Sequence, residues 1–388
     1  MGHIQTLTEA DYDAVFSLSE FAFQYKLSAE ELQKKKEEAQ RHTIWGWMEA
    51  GQLAAKVHLI PLSCYINGQA FSMGGVSAVA TWPEYRRQGM IKQLLYHALT
   101  SMKENGQSIS FLHPFAFSFY RKYGWEHAFT EQHDSIPIEQ LKRNWNLEEG
   151  SYVRRIQPNI PLLHRIYTEF AKVYNGMLVR DEAWWKQRVL SENDQIAVAY
   201  NKQGEPAGYM IYNVKENVFD VRELAYTDGH GQKQLLHFIA NHDSMAEKVK
   251  LTAPEQNNLP LLLDEPRFEQ KLVPYFMARI VDVQRFLQEY PFHGEGNLTL
   301  VITDDFFPEN NGSYQLKITT DETTVMLDQP VDNYPVIHCS IQVFTSMMLA
   351  FRRPSDYYQA GRLHGEELAV SRLETVIPNR QPFLADFY

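Results

Sequence analysis

Val76-Ser77-Ala78-Val79-Ala80-Thr81-Trp82-Pro83-Glu84-Tyr85-Arg86-Arg87-Gln88-Gly89-Met90-Ile91 opens as a run of small and apolar residues that suits a buried strand, breaks at Trp82-Pro83 and resumes as a helix after Gly89. Ile91, Leu94, Leu95, Ala98, Leu99 and Met102 recur at helical spacing, so the helix runs from Met90 to Lys103 and closes at Asn105-Gly106. This order brings unpaired backbone N–H groups, the positive end of a helix dipole and the charge of Arg86 or Arg87 to one point, with Gly89 permitting close approach. A diphosphate suits that point. Spacing alone is equally compatible with an exposed basic turn in front of a helix.

Upstream, residues 3–7 read as a short strand, and Glu9 to Phe23 as a helix with Tyr12, Val15, Phe16, Leu18, Phe21 and Phe23 on its apolar side. Ser28 and Glu31 form a capping-box pattern at the start of a charged, solvated helix. Ile44 to Met48, Leu53 to Ile66 and Ala70 to Thr81 then alternate as a meander of antiparallel strands, with a hairpin signal at Asn67-Gly68. Downstream come a strand at Ser108 to Leu112, a helix carrying Tyr120 and Tyr123, and a strand towards Ile136 that completes a first mixed layer by about residue 145.

After Glu148-Glu149-Gly150 the same order begins again. Strand Tyr152 to Ile156, helices Ile160 to Tyr174 and Asp181 to Leu190, strands Gln195 to Tyr200, Ala207 to Val214 and Val218 to Ala225, helix Gln232 to Asn241 and strand Lys248 to Thr252 echo the first half. Where the second copy's helix begins it offers Asp228-Gly229-His230-Gly231 in place of the arginine turn, so a nucleotide site is not expected there. The last hundred residues, with strands near Leu298, Ser313 and Thr324 and a helix from Ser340 to Phe351, form a small α+β unit. The division is therefore 1–147, 148–286 and 287–388, a mixed α/β chain of three parts, consistent with 388 residues exceeding one ordinary core.

The composition, 44% hydrophobic with 22 Phe, 21 Tyr and 7 Trp, is that of a well-packed soluble protein. A formal net charge of -11 argues against a nucleic-acid partner and gives a weak field favouring a cationic one. No apolar run reaches the length of about 20 residues that spans a bilayer, and the start lacks the features of a secretion signal, so the expectation is a cytoplasmic protein with no membrane partner. Cys64 and Cys339 stand far apart and suggest neither a disulfide framework nor a metal cluster. Phosphate-loop, zinc-protease and nucleophile-elbow motifs are absent, no metal is expected, and His113 reads as a neutral structural residue.

The segment from Val79 to Ile91 resembles the acetyl-CoA signature of the GNAT superfamily, here Arg86-x-x-Gly89-x-Ile91, with Ile91 in place of the usual small residue. That bulky ending, together with Arg180-Asp181-Glu182-Ala183-Trp184-Trp185 and Ala360-Gly361-Arg362-Leu363-His364-Gly365, is similar to the Enhanced intracellular survival (Eis) family. The resemblance spans essentially the whole chain and implies tandem GNAT-fold domains, the second degenerate, followed by a sterol-carrier-protein-like domain.

It implies further that acetyl-CoA is the cosubstrate. The acetyl carbonyl would be held by main-chain N–H groups of Val79, Ala80 and Thr81, and the pyrophosphate by Arg87, Gln88, Gly89, Met90, Ile91 and Lys92 beside Arg86; Phe115 and Ala116 would make a further coenzyme contact. Acetyl transfer to an amine needs a neutral nucleophile, oxyanion stabilisation and a proton for the leaving thiolate. The family pattern puts the acid at Tyr120, with Tyr123 as its rival, and the base at the carboxylate of the chain terminus, here Tyr388 where the family's best-known member carries phenylalanine. Asp386 stands beside it as a carboxylate able to pair with a polyamine.

The expected activity is direct acetyl transfer to primary amines of a polycationic acceptor, aminoglycoside-like or a lysine side chain, in a homo-oligomer that the resemblance makes a hexamer. The alternatives are an acetyl-CoA-sensing or lipid-binding protein without transferase activity, and a long-chain acyltransferase.

Overall fold

The computed structural model describes residues 2–329 and 334–388. Strands β1 (His3–Leu7), β2 (Thr43–Glu49), β3 (Gln52–Ile66), β4 (Gln69–Thr81), β5 (Ile109–Leu112) and β6 (Glu126–His127) build most of a first sheet. Between β1 and β2 run α1 (Tyr12–Phe23) and α2 (Ala29–Ala39), the latter opened by the Ser28–Glu31 capping box. Helix α3 (Met90–Glu104) follows the arginine turn, and α4 (Phe117–Arg121) follows β5. Tyr123 lies just beyond α4 instead of within it.

The next strand, β7 (Thr130–Pro137), does not complete the first layer as the sequence order suggests; it leaves it. It is hydrogen-bonded within a second sheet made by β8 (Tyr152–Ile156), β9 (Gln195–Tyr200), β10 (Pro206–Lys215), β11 (Val218–Tyr226), β12 (Lys248–Ala253) and β13 (Glu269–Pro274), in the order β13-β7-β12-β11-β10-β9-β8. Strand β14 (Met277–Ile280) crosses the other way and inserts between β5 and β6 of the first sheet. Strand alternation reports which face is buried and carries no information on which sheet a strand joins, so the exchange is invisible in the pattern.

The second unit's helices are α5 (Ile160–Ala171), α6 (Glu182–Trp184), which passes into a π-helical turn at Trp185–Val189 where one continuous helix was expected, and α7 (Gly229–Ala240). Strands β15 (Gly296–Thr303), β16 (Gly312–Ile318), β17 (Thr323–Leu327), β18 (Val336–Ser340) and β19 (His364–Gly365) form a third sheet within the last hundred residues. One apolar core joins the three units, running from Phe71 and Phe111 through Tyr167 and Trp185 to Leu300, Phe344 and Phe383. Buried Arg279 of β14 clamps the joint: it pairs with Asp304 of the third unit and donates to the carbonyl of Tyr123.

Candidate active site

Two features open a cleft in the first sheet. Strand β4 pairs with β5 in parallel only at Met73, Gly74 and Gly75, so the two strands part beyond that point and leave one edge of Val76 to Thr81 without a partner strand. On its other edge β4 bulges: His58 pairs with Ser77 and Lys56 with Ala80, so Ala78 and Val79 together face Val57, and Ala78 takes φ 49°. A non-glycine residue in the left-handed region costs on the order of 1 kcal/mol and is found where the surroundings impose it.

The cleft has a volume of about 530 Å³ and is lined by Ala22 and Phe23 from the end of α1, Val79 to Thr81, Tyr85 to Lys92, Phe115, Phe119 and Tyr123. Gly89 caps α3 at φ 82° without any side-chain cap, and a side chain there would meet open space, so the first N–H groups of a 15-residue helix look into the cleft. Arg86, Arg87 and Lys92 are exposed, and among the described residues their side chains have no ion-pair partner. A diphosphate would supply the missing counter-charge, so the residues present fit the coenzyme.

The structure thus brings Val79, Ala80, Thr81, Arg86, Arg87, Gln88, Gly89, Met90, Ile91, Lys92 and Phe115 together on one cleft, while Ala116 does not line it. Tyr85, Phe119, Ala22 and Phe23 join them unforeseen. Tyr120 is 3% exposed and packs against Phe115, Phe119 and Trp125, whereas Tyr123 lines the wall directly. Burial, with Tyr123 nearby, pushes the Tyr120 phenol well above its ordinary value, so it is protonated at neutral pH. His113 packs edge-on against Tyr275 and Phe387 and is held neutral by burial. The buried Cys64 thiol is pushed up in the same way, which suits no nucleophile.

The chain's last residues dock on β4, the strand whose far end lines the cleft. Phe383 N–H donates to the Asn175 carbonyl at 2.9 Å, and Tyr275 donates to the Asp386 carbonyl at 3.1 Å. Asp386, proposed from sequence as a polyamine contact, is corrected here: it is buried and consumed by Arg180 at 3.0 Å and Trp184 Nε1 at 2.8 Å. Arg180 also forks onto Glu223 at 2.9 and 2.6 Å and lies 3.9 Å from the Tyr167 ring centroid. Beyond this anchor the Tyr388 ring comes to rest on Gly75, where a β-carbon would stand 2.7 Å from its Cε2. Gly74 is occupied from the other face by Met102 of α3, so the pair Gly74-Gly75 is small because a helix and the tail press on it from opposite sides. Glycines inside a strand pattern were the available signal for that docking.

Comparison with known proteins agrees with this geometry. A family described as an acetyltransferase (GNAT) domain matches residues 3–128, a second GNAT acetyltransferase family matches 176–280, and a sterol carrier protein domain family matches 283–385. N-acetyltransferase Eis of Mycobacterium tuberculosis is 22% identical over 324 residues, 77% of this chain and 76% of that one. The chain is an Eis-like GNAT acetyltransferase. An uncharacterised N-acetyltransferase of Streptomyces griseus shares 24% identity with this Eis-like protein over 297 residues, 67% of this chain and 69% of that one. Among solved structures, a probable N-acyltransferase of Enterococcus faecalis superposes on the Eis-like chain with a TM-score of 0.92 at 25% identity, each chain covered completely. Eis1 of Mycobacterium abscessus superposes with a TM-score of 0.83 at 16% identity, again over 100% of both chains, which shows a shared fold. Tandem GNAT units followed by a sterol-carrier-like unit are therefore the architecture of this Eis-like acetyltransferase. No helix among its described residues is long and apolar enough to cross a membrane, and no group of metal-ligating side chains occurs among them.

Proposed function

We propose that the chain transfers the acetyl group of acetyl-CoA to a primary amine of a cationic acceptor, aminoglycoside-like or a lysine side chain, by direct attack. Main-chain N–H groups of Val79 to Thr81 would orient the thioester carbonyl, and Arg86 to Lys92 with the start of α3 would hold the diphosphate. The terminal carboxylate of Tyr388 would take a proton from the attacking nitrogen as the C–N bond forms. Tyr120 would give its proton to sulfur as the C–S bond breaks. The observation that supports this most is the tail. Asp386 is fixed by Arg180, and Tyr388 docks on Gly75 just where β4 and β5 separate, which brings the chain terminus next to the strand that carries Val79. Desolvation of that carboxylate would raise its basicity above that of a free terminus. The net charge of -11 favours a cationic acceptor, and assembly as a homo-oligomer belongs to the same proposal.

The test is thiol release from acetyl-CoA with a panel of polyamines, aminoglycosides and lysine peptides. The panel is run on the native chain, on a form extended by one glycine after Tyr388, and on Tyr120→Phe and Tyr123→Phe. Retained coenzyme binding with activity lost in the extended form and in Tyr120→Phe is the expected result. Full activity in the extended form removes the terminal base. Loss confined to Tyr123→Phe, the phenol that lines the cleft, moves the acid to that residue.

A further inference from the structure

Beneath the β4 bulge lies a group of bases that the proposed chemistry does not use. Lys56 of β3 is 0% exposed, and its Nζ donates to the Ala78 carbonyl at 3.0 Å. It also lies 3.1 Å from Nε2 of His58, whose Nδ1 is 3.4 Å from Nδ1 of His42. Among the described residues Lys56 has no carboxylate partner, an arrangement that costs several kcal/mol unless the ammonium is partly neutralised or hydrogen-bonded. Burial draws its pKa down to about 7, and both the ammonium and the amine retain N–H groups to donate, so the contact with Ala78 does not depend on the charge state.

The carbonyl it holds belongs to a particular peptide unit. Ala78 C=O and Val79 N–H are the two ends of one trans amide, and in a trans amide they point in opposite directions. With the oxygen turned towards Lys56 across the β3 edge, the N–H is turned towards the edge where β4 has left β5, the side on which Val79 lines the cleft. A donor on the oxygen of an amide polarises it and strengthens its N–H as a donor, the cooperativity seen along hydrogen-bond chains.

We propose that Lys56 is a positioning residue for acetyl transfer, fixing and polarising the Ala78–Val79 peptide so that the Val79 N–H stabilises the negative charge that develops on the thioester oxygen. The inference rests on the reading that the N–H groups of Val79 to Thr81 hold the acetyl carbonyl. It accounts for two costly features at once: a left-handed alanine in mid-strand and a buried lysine without an acid, each of which holds the other in place. Lys56 forms no bond to substrate and exchanges no proton in the reaction.

The test uses the full chain and the ketone analogue of acetyl-CoA in which a methylene replaces the thioester sulfur, so that the carbonyl stays intact, no transfer occurs and its infrared stretch is read in the bound state. In the native protein the stretch should fall on binding. In Lys56→Met, of matched length, it should return towards the solution value, kcat should drop about tenfold, and affinity for CoA itself, which has no carbonyl at this point, should not change. Lys56→Gln keeps an N–H donor and should restore part of both the stretch and kcat. A native downshift that persists unchanged in Lys56→Met, or a kcat loss matched by an equal loss of CoA affinity, overturns the proposal. An unshifted carbonyl in the native protein instead removes the acetyl-site reading and this inference with it.

Discussion

The turn that opens α3 and the turn that opens α7 occupy matching places in two copies of one fold, yet only the first is built to receive an anion. At the first, Gly89 leaves the α3 N-terminus without a side-chain cap, and Arg86, Arg87 and Lys92 around it have no ion-pair partner among the described residues. At the second, the Asp228 carboxylate already accepts from Gly231 N–H at 2.8 Å, and Gly231 is pressed so closely on the Ala207 carbonyl that no side chain and no ligand fits between. The sheets differ in the same sense. Strand β11 also leaves its parallel neighbour β12 beyond Val221, but the space there is taken by Glu223, Arg180 and the tail residues Phe383 and Ala385, leaving about 70 Å³. The second copy instead anchors the tail, through Arg180 and Trp184 on Asp386.

Breaking the anchor should have the largest effect. Arg180→Met leaves Glu223 and Asp386 buried without their cation, and the expected loss is about 3–5 kcal/mol in urea unfolding together with loss of transferase activity. Converting the first turn into the second is the next test. Gly89→Asp places a carboxylate at the α3 N-cap, and affinity for CoA by calorimetry should fall by about 2–3 kcal/mol, whereas Asp228→Ala should cost only about 1 kcal/mol of stability and create no CoA binding.

The surroundings of Arg180 and the space under the β4 bulge also differ in charge balance, which pH can expose. Around Arg180 two carboxylates compensate a cation, but under the β4 bulge His42 is held to a pKa of about 4 by burial, with Arg188, Lys35 and Arg41 adding to the effect against Glu38. The unfolded chain takes up that proton first, near pH 6.5, so the stabilisation is complete above pH 6.5 and is lost as pH falls towards 4. About 2 kcal/mol should disappear between pH 7 and pH 5, and His42→Gln should flatten that fall in a thermal-unfolding series. The smallest change is expected from Tyr388→Phe. The Tyr388 hydroxyl is buried with no hydrogen-bond partner among the described residues, so its removal should raise stability by up to about 1 kcal/mol and leave kcat intact if the carboxylate is the base.

Much of the cleft could be read from residues 76–92 because each requirement there is local: a glycine for the left-handed cap, arginines for charge, and an apolar run that must be a strand. Phe115 came from the family resemblance alone, which also named Ala116, a residue that does not line the cleft. Two further signals lie in the sequence: a lone lysine, Lys56, within Leu53 to Ile60 is anomalous for a buried strand, and the paired glycines Gly74-Gly75 in a strand mark a close approach. Arg180 belongs to the motif that resembles the Eis family, but its partners Glu223 and Asp386 lie far away in sequence, and nothing local links them.

The sequence by itself determined the elements, their repetition and the chemistry of the first turn, since helix periodicity, strand alternation and turn residues act over a few positions. Tertiary structure alone decided that β7 and β14 change sheets, that Asp386 serves as an anchor and is unavailable to substrate, and that Tyr388 comes to rest on Gly75. Those outcomes depend on which distant surfaces bury each other and which buried charges find partners, and neither is written in any short window of residues.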